Sequence, residues 1–399
     1  MRKRTILFVD DEPNILSGLR RMLRSLRNEM DLHFVGSGKG ALEFMASHNV
    51  DVIVSDLRMP GMDGTTLLKH VQKRFPHVMR MILSGHADQV AILETVGVAH
   101  QFLAKPTSAE TIRKILIRTC NLQDVFTNEN MKKLITGIGK LPSLPSVYAE
   151  LQAKLKNPNC SVDEVATIIE KDMAMSAKIL QLVNSAFFGF FNSVESPARA
   201  VNLLGLDTIK ALVLDIGAFT EICETCSTAI KIEELWQHSL GVAVYAKHIA
   251  QMEGQDQASC NNAFIAGLLH DIGKLLFHVN AIVSYDKVNE IAVAVPAKCH
   301  ITDRDMLIMD HAEIGSYLLG LWGLSSQVVE AVAFHHCLQD YSWPAFSPAI
   351  AVYAADIINH RMFSGSCFEL SEADTNYLAE AGLAGRFAVW EQHCKELTL

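Results

Sequence analysis

The chain has 399 residues, of which 49% are hydrophobic and 20% charged, with a net charge of -9 at pH 7. That length exceeds one ordinary core and predicts two domains. The acidic balance argues against a general nucleic-acid binder, which would show a basic face. The chain has nine cysteines, which are expected to be reduced thiols. No uncharged stretch reaches about 18 residues, so no membrane span is expected. The apolar stretch after the basic N-terminus is too short for a signal peptide, and we expect a cytoplasmic protein.

Short apolar segments near the N-terminus end in polar side chains. These pairs of segment and polar residue are Thr5–Val9 with Asp10 and Asp11, Val52–Ser55 with Asp56, Met79–Leu83 with Ser84, and His100–Ala104 with Lys105. Amphipathic helical patterns separate the segments. This alternation predicts an α/β fold with a parallel sheet. In such a sheet the carboxyl ends of the strands form the ligand crevice.

The predicted crevice contains carboxylates, a hydroxyl and an ammonium group. Asp10, Asp11 and Asp56 would repel one another unless a cation neutralised them, and oxygen ligands with room for water favour Mg²⁺. We expect Asp56 to be the phosphoacceptor that forms an acyl phosphate. Lys105 and Ser84 would bind phosphoryl oxygens. The alternative is an acidic cluster that only caps helices.

The order of these groups resembles that of a response-regulator receiver domain, over roughly residues 3–122. The resemblance implies a doubly wound, five-stranded parallel sheet of the flavodoxin-like type, and it implies that a sensor histidine kinase or a small phosphodonor phosphorylates Asp56. It also implies that Phe102 is the switch aromatic, which follows Ser84 inward. Ser84 stands where Thr is commoner in the family, and Phe102 where Tyr is common. Homodimerisation through the face near Phe102 is a further implication.

The rest of the chain has a helical pattern. Residues 108–135 are predicted to form one helix, or two with a break near Thr127, and to contain the linker. About ten helical segments and no convincing strand follow, including one helix from Asp207 to Ile222. The predicted domains are the receiver at 1–122, a helical linker at 123–140, and an all-helical domain at 141–399.

Three local patterns in the helical part need separate interpretation. Ser161–Glu164 has the spacing of a capping box and predicts a helix start. Asp163–Ser185 has the length of a helix-turn-helix, but Lys178 is the only basic residue of its second helix, so core packing is favoured over DNA binding. The aromatic run Ser185–Phe191 predicts either a core plug or a surface for a partner.

Histidines and carboxylates recur on apolar helical patterns of the second domain. They are Glu234, His238, His270, Asp271, His311, His335, His336 and Asp356. Burying such groups is costly without partners, and a shared metal ion would offset that cost. Imidazole and carboxylate ligands suit Fe, Mn or Zn. A structural polar core is the alternative. The remaining histidines are expected at the surface or in loops, namely His248, His278, His300 and His360.

The ordered series resembles the HD phosphohydrolase superfamily, in which one to three metal ions activate a hydroxide against a phosphorus centre. The core ligands implied by the resemblance are His238, His270, Asp271 and Asp356. The residues that would extend the site to further metals are Glu234, His311, His335 and His336. Lys274 would stabilise phosphate oxygens.

A closer resemblance, over roughly residues 134–340, is to the HDOD domain. It is carried by Leu141–Pro145, Ile169–Asp172, Leu180–Gly189 and Ala200–Gly205. HDOD domains are mostly regarded as non-catalytic signalling modules, and many lack the metal ligands, whereas this sequence keeps nearly the whole set. The glycine-tyrosine-proline loop of the cyclic-di-GMP-hydrolysing HD-GYP group does not follow His336.

These features predict a two-component response regulator, a phosphoprotein of phosphorelay signal transduction. In the first hypothesis, phosphorylation of Asp56 controls an HDOD output that binds a protein partner or a nucleotide second messenger. The second hypothesis is a receiver-gated, metal-dependent phosphohydrolase or phosphodiesterase. The third is a DNA-binding transcription regulator that uses Asp163–Ser185.

Overall fold

The computed structural model of the chain describes most of its residues. The described ranges are 3–85, 92–125, 135–136, 141–157, 159–188, 193–215, 219–221, 228–279, 311–338, 346–363, 370 and 372–397. The predicted break near Thr127 lies outside them, as do residues 189–191 of the aromatic run.

The N-terminal part is a parallel sheet of five strands in the order β2-β1-β3-β4-β5. The strands are β1 (Arg4–Val9), β2 (Met30–Val35), β3 (Val52–Asp56), β4 (Met79–Gly85) and β5 (Gln101–Lys105). The described helices of this part are α1 (Pro13–Met22), α2 (Gly38–Ser47), α3 (Gly64–Arg74) and α4 (Ala109–Val125). The central strands are almost wholly buried because both faces of the sheet are covered. The predicted doubly wound α/β fold is confirmed.

Helix α3 begins against the end of strand β3. Its N-cap, Asp63, accepts a hydrogen bond from the Thr66 amide at 2.7 Å. A Cβ atom on Gly64 would lie 2.1 Å from the carbonyl oxygen of Asp56, so only glycine permits this close approach. The helix is therefore held directly beside the residue predicted to accept the phosphoryl group.

The C-terminal part is mostly helical, as predicted. Its helices are α5 (Pro145–Leu155), α6 (Val162–Glu170), α7 (Met173–Val183), α8 (Pro197–Leu204), α9 (Leu206–Lys210), α10 (Thr228–Met252), α11 (Gln257–Leu269), α12 (Ile272–Val279), α13 (His311–Leu321), α14 (Ser326–Ala333), α15 (Pro348–Phe363), α16 (Glu372–Glu380) and α17 (Arg386–Lys395). The capping box between Ser161 and Glu164 is present at the start of α6. In the described part of the chain, no helix has the length and apolar character needed to cross a membrane.

Two predictions about this part are wrong. Strands β6 (Leu141–Ser143) and β7 (Phe219–Glu221) form a small parallel sheet. The helix predicted from Asp207 to Ile222 instead ends in a π-helical turn, Ala211–Asp215, before β7. Strands of three residues are too short to show alternation, so periodicity could not reveal them.

Helix α7, the second helix of the helix-turn-helix pattern, is a core helix. Each of its residues is buried, including Lys178. A recognition helix must expose one face to a DNA groove. The structure therefore excludes α7 as a recognition helix. Phe187, just beyond it, is also buried and makes an edge-to-face contact with Phe188, which supports the core interpretation of that part of the aromatic run.

The two parts share a contact along β5, the edge strand of the large sheet. The Gln101 side-chain amide donates a hydrogen bond to the Leu321 carbonyl at 2.9 Å. Leu103 forms a parallel β-bridge with Ala186. Because these groups are largely buried, the contact excludes water from the edge of the sheet.

Lys178 is buried at the same contact. Its Nζ lies 3.4 Å from the Val96 carbonyl oxygen, 3.2 Å from Gln181 Oε1 and 4.3 Å from the centroid of the Trp322 ring. Burial, with the nearby charge of Arg80, lowers the pKa of Lys178 to about 7. The contact thus contains a lysine that loses its proton far more readily than an exposed one.

We expect Lys178→Met to flatten the pH dependence of stability. In the unfolded chain the lysine pKa is near 10.5. Between about pH 7 and pH 10 the unfolded wild-type chain therefore binds the additional proton, and its free energy of unfolding rises by up to about 1.4 kcal/mol per pH unit. Methionine has a similar volume and no proton to lose. Thermal unfolding across this range should give a steeper rise in Tm for wild type and for Lys69→Met, an exposed control, than for Lys178→Met. Parallel curves for all three would contradict the assignment.

Candidate functional sites

The strand ends of the large sheet bring the predicted phosphorylation residues together. Lys105, at the end of β5, places its Nζ 2.6 Å from Asp10 Oδ2 and also binds Asp56 Oδ1. Asp56, at the end of β3, accepts a hydrogen bond at Oδ2 from the Arg58 amide at 2.9 Å. Asp10 is buried, and Asp11 beside it is partly exposed. Parallel register makes these groups neighbours although they lie far apart in sequence.

Ser84 and Phe102 lie on the adjoining strands. Ser84 of β4 is in register with Ala104 of β5, next to Lys105. Both Ser84 and Phe102 are buried. The structure thus places Ser84 on the strand next to Lys105, one residue away from it in register, and the predicted switch aromatic inside the fold.

Burial and the charged hydrogen-bond partners act in opposite directions on the pKa values of Asp56 and Lys105. Burial raises the pKa of the Asp56 carboxyl above its ordinary value, although Lys105 acts in the other direction. Burial alone would lower the pKa of Lys105, but hydrogen bonds to Asp10 and Asp56 outweigh it, and the net pKa is raised. A centre with clustered carboxylates and one cation fits a further divalent cation, for which oxygen ligands suit Mg²⁺.

A second cluster lies among the helices. Its members are His238 on α10, His270 and Asp271 between α11 and α12, His311 at the start of α13, His335 and His336 just after α14, and Asp356 on α15. The prediction that His270 and Asp271 lie within a helix is wrong, because α11 ends at Leu269 and α12 begins at Ile272. This helix junction turns both side chains toward the cluster.

Asp271 lies at the middle of the cluster, and its two oxygens face different histidines. Oδ2 is 3.4 Å from His270 Nε2 and 3.8 Å from His238 Nε2. Oδ1 is 3.1 Å from His311 Nε2 and 3.9 Å from His335 Nε2. The carboxylate therefore joins two sets of imidazoles on opposite sides.

Asp356 closes the cluster from helix α15. Its Oδ1 lies 3.1 Å from His238 Nε2 and 3.4 Å from His360 Nε2. Its Oδ2 lies 4.0 Å from His336 Nδ1. His336 Nε2 is in turn 2.9 Å from His311 Nε2. Three ligand groups of metal-binding geometry result, one with His311, His335 and His336, one with His238, Asp356 and His360, and one with His238, His270 and Asp271.

Neighbouring oxygens orient several of the imidazoles. The Nδ1 atom of His270 contacts the Gly267 carbonyl oxygen at 2.7 Å. That of His238 contacts Asn359 Oδ1 at 2.8 Å. Such contacts fix the Nδ1–H tautomer and leave each Nε2 lone pair directed into the cluster, as in metal sites. The same holds for His335, whose Nδ1 lies 2.7 Å from the Val332 carbonyl oxygen.

The donor set fits divalent metal ions. Three buried atoms that face the cluster have no hydrogen bond of acceptable geometry: Asp271 Oδ1, Asp356 Oδ1 and His335 Nε2. Unsatisfied buried polar atoms are rare and costly in folded proteins. Cations bound within the cluster would satisfy these atoms, and histidine with carboxylate is a ligand set suited to Fe, Mn or Zn.

The pKa shifts of four cluster residues agree with this fit, whereas the pKa of His238 is raised, because its hydrogen bond to Asp356 outweighs the effect of burial. Burial lowers the pKa of His270 to about 4 and holds that of His335 well below its ordinary value. Burial alone would raise the pKa values of Asp271 and Asp356, but the neighbouring histidines, and Lys274 beside Asp271, hold them well below the ordinary value. Neutral imidazoles and ionised carboxylates are the forms that bind metal.

Two family models match the chain. The response regulator receiver domain matches residues 6–117, and the HDOD domain matches residues 141–338. The chain belongs to the response regulators that carry an HDOD domain. It is therefore a two-component response regulator, and both resemblances drawn from the sequence are confirmed. Receiver domains generally receive phosphate from sensor histidine kinases and generally use Mg²⁺.

Relatives of this response regulator include an uncharacterized protein of Treponema pallidum (strain Nichols). The two are 30% identical over 253 residues, which is 63% of this chain and 48% of that protein. The hydrogenase transcriptional regulatory protein HoxA of Cupriavidus necator is 36% identical over 107 residues, 26% of this chain and 22% of that protein. The chain thus spans about half or less of these relatives. The solved MmoQ response regulator of Methylococcus capsulatus str. Bath is 21% identical, with a TM-score of 0.47 over 63% of this chain and 98% of that one.

The helical part of the chain brings together all but one of the predicted ligands. Glu234 is exposed, and no metal-ligand group among the described residues includes it, so its role stays a prediction. The prediction that His360 is a surface or loop residue is wrong, because its imidazole joins His238 and Asp356 in one group. The sequence did contain a signal, since His360 follows Asp356 by four residues on one helix face. Lys274 places its Nζ 2.8 Å from Asp271 Oδ2.

Proposed function

We propose that the chain is a cytoplasmic, phosphorylation-controlled phosphohydrolase or phosphodiesterase that depends on divalent metal ions. The supporting observation is the central position of Asp271, whose two oxygens face two histidine sets. A carboxylate in this position suits two adjacent metal ions, as in enzymes that transfer or hydrolyse phosphoryl groups. The proposal keeps the predicted domain boundaries, 1–122, 123–140 and 141–399.

In the receiver, Asp56 would take the phosphoryl group from a sensor histidine kinase or a small phosphodonor. Asp10, Asp11 and Asp56 would hold Mg²⁺. Lys105, which already contacts Asp10 and Asp56, would move to a phosphoryl oxygen, and Ser84 would donate its hydroxyl to another. Phe102 would respond to the position of Ser84.

In the HDOD domain, the residues divide into two metal positions. The first position would use His238, His270, Asp271 Oδ2, Asp356 and His360. The second position would use His311, His335, His336 and Asp271 Oδ1. Bound metal would supply Lewis-acid stabilisation and a nucleophile at neutral pH. Lys274 would bind a non-bridging phosphate oxygen, because its partly exposed ammonium group lies beside Asp271.

A second candidate is binding of a protein partner or a nucleotide without metal. The ion pair between Lys274 and Asp271 favours it, because this pair neutralises one buried carboxylate with a cation of the chain itself. In that case the histidine cluster would be a structural polar core.

The two candidates predict different metal contents. For the purified full-length chain we expect about two equivalents of transition metal, together with chelator-sensitive hydrolysis of bis(p-nitrophenyl) phosphate or p-nitrophenyl phosphate. His238→Ala should lose about one of the two equivalents and most of the hydrolysis, because His238 belongs to the first position, where it contacts Asp356 and His270. His248→Ala, on the same helix, serves as the control and should keep both. Absence of metal from the wild-type chain after loading with Fe, Mn or Zn would overturn the enzyme and favour the second candidate.

A further inference from the structure

The receiver touches the helical hairpin that carries the second metal position. The hairpin consists of α13, the turn Trp322–Ser325, and α14. Gln101 of β5 donates to the carbonyl of Leu321, the last residue of α13. Arg118 of α4 donates to the carbonyl of Leu324 in the turn. Lys178 lies over the Trp322 ring at 4.3 Å. The tip of the hairpin is therefore held against the receiver by hydrogen bonds from Gln101 and Arg118.

The open end of the same hairpin holds three histidines. His311 is the first residue of α13, and His335 and His336 follow α14 directly. Together these three form one of the metal-ligand groups. The residues of the first position lie on α10, on α15 and at the α11–α12 junction. The receiver contact thus bears directly on one metal position and not on the other.

Because helix α13 is almost wholly buried, a displacement at one of its ends is transmitted to the other end. Of its 11 residues, only Glu313 is not buried. At 1.5 Å per residue the helix spans about 16 Å. A close-packed interior transmits displacement because it has little compressible space. A Cβ atom on Gly273 would lie 2.0 Å from the His311 carbonyl oxygen, so the first turn of α13 is also held tightly against α12. A shift at Leu321 therefore displaces His311.

Strand β5 links this hairpin to the phosphorylation centre. Gln101 begins the strand and Lys105 ends it. Lys105 binds Asp10 and Asp56, so a phosphoryl group on Asp56 would change the partners of Lys105. The strand is short and lies at the edge of the sheet, and its other neighbour is Ala186 of the HDOD domain. A change at one end of β5 reaches the hairpin within five residues.

We propose that Gln101 and Arg118 are positioning residues that couple the state of Asp56 to the second metal position through this hairpin. The inference deepens the proposed function and rests on it. Phosphorylation alters the geometry of His311 relative to His335 and His336, and hence the affinity for the second metal ion, while the first position keeps its affinity. Linkage makes the effect reciprocal, so metal at the second position changes the affinity for the phosphoryl group by the same factor.

The test uses the full-length chain, Co²⁺ as the probe metal and beryllofluoride as the phosphoryl mimic, with Mg²⁺ saturating throughout. His270→Ala removes a ligand of the first position only, and His336→Ala removes a ligand of the second only. Titrations followed by the d–d absorption of Co²⁺ give the affinity of the remaining position. We expect beryllofluoride to change that affinity about fivefold or more in His270→Ala, and by less than about twofold in His336→Ala.

Substitution of Gln101 isolates the coupling. In the His270→Ala background, Gln101→Ala and Gln101→Glu both remove the amide donor, and we expect the effect of beryllofluoride to fall below about twofold. Co²⁺ binding without beryllofluoride should persist. Gln72→Ala, on receiver helix α3, is the control and should keep the full effect. Conversely, saturating Co²⁺ should shift beryllofluoride affinity in the His270→Ala chain but not in its Gln101 variants.

The outcomes separate the two proposals. Co²⁺ binding at both positions with no response to beryllofluoride overturns the coupling and leaves the metal site standing. An undiminished response in both Gln101 variants shows that the coupling takes another route and overturns the role of Gln101. Absence of Co²⁺ binding from the wild-type chain overturns the proposed function and the coupling together.

Discussion

Asp56→Asn should reduce phosphorylation by acetyl phosphate to background. The Asp56 carboxylate would attack the phosphorus atom through an anionic oxygen, and an amide has no such oxygen. The rest of the centre would remain, because the Arg58 amide can still donate to an oxygen at position 56. We expect at least about a hundredfold less acyl phosphate, measured by intact-mass spectrometry or by phosphate-affinity electrophoresis. Each tenfold loss of rate corresponds to about 1.4 kcal/mol in the barrier.

Asp31→Asn provides the matched control for this experiment. Asp31 lies on strand β2 of the same sheet, and its side chain is largely exposed. The Asp31→Asn variant should be phosphorylated to the same extent as wild type. Equal phosphorylation of Asp56→Asn and wild type would show that another residue is the acceptor. A loss in both variants would instead indicate damage to the sheet.

Asp271→Asn should empty both metal positions at once. The substitution keeps the size of the side chain but removes the charge that faces His270 on one side and His311 on the other. It also leaves Lys274 without its carboxylate partner. Breaking a fully buried ion pair by removing one member costs about 3–5 kcal/mol. Lys274 is partly exposed, so the cost here is smaller, but the metal-free variant should still unfold at a lower temperature.

Elemental mass spectrometry of the Asp271→Asn chain should find less than about one-tenth of the wild-type metal, and hydrolysis of phosphodiester probes should fall in parallel. Asp207→Asn, an exposed position in the helical domain, is the control and should retain metal, hydrolysis and stability. Near-wild-type metal in a folded Asp271→Asn chain would show that the two oxygens of Asp271 do not join two metal positions. Circular dichroism establishes whether the variant is folded.

The receiver centre could be predicted because the residues that form it can be recognised from short stretches of sequence. Each strand is a short apolar run, and the residue that ends it carries the chemistry, as Asp56 and Lys105 do. Parallel pairing then places the ends side by side whatever the loops between them do. Buried parallel strands have few alternatives, so the sheet and its crevice follow from patterns of only five or six residues.

The helical domain could be predicted only in part. The ordered histidines indicated a cluster, but helical periodicity does not say which way the helix junction at His270 turns. His360 was missed because its only signal is its spacing from Asp356. Glu234 lies about one helical turn before His238 on the same face, yet it is exposed, because that face reaches the surface one turn before the cluster. The contact between Gln101 and Leu321 joins residues that are 220 positions apart, and no local pattern encodes such a pair.

Edge strand β5 also bears on self-association of the chain. An unpaired edge is a surface on which another polypeptide can add. Here the HDOD domain already covers it through Ala186, and both domains belong to one chain. Tethered groups compete at effective concentrations on the order of millimolar, far above the concentration of free copies at micromolar protein. A second molecule can therefore bind at the face near Phe102 only after the HDOD domain has dissociated from β5. The fraction of chains that dimerise through that face would then depend on how often the receiver and the HDOD domain separate.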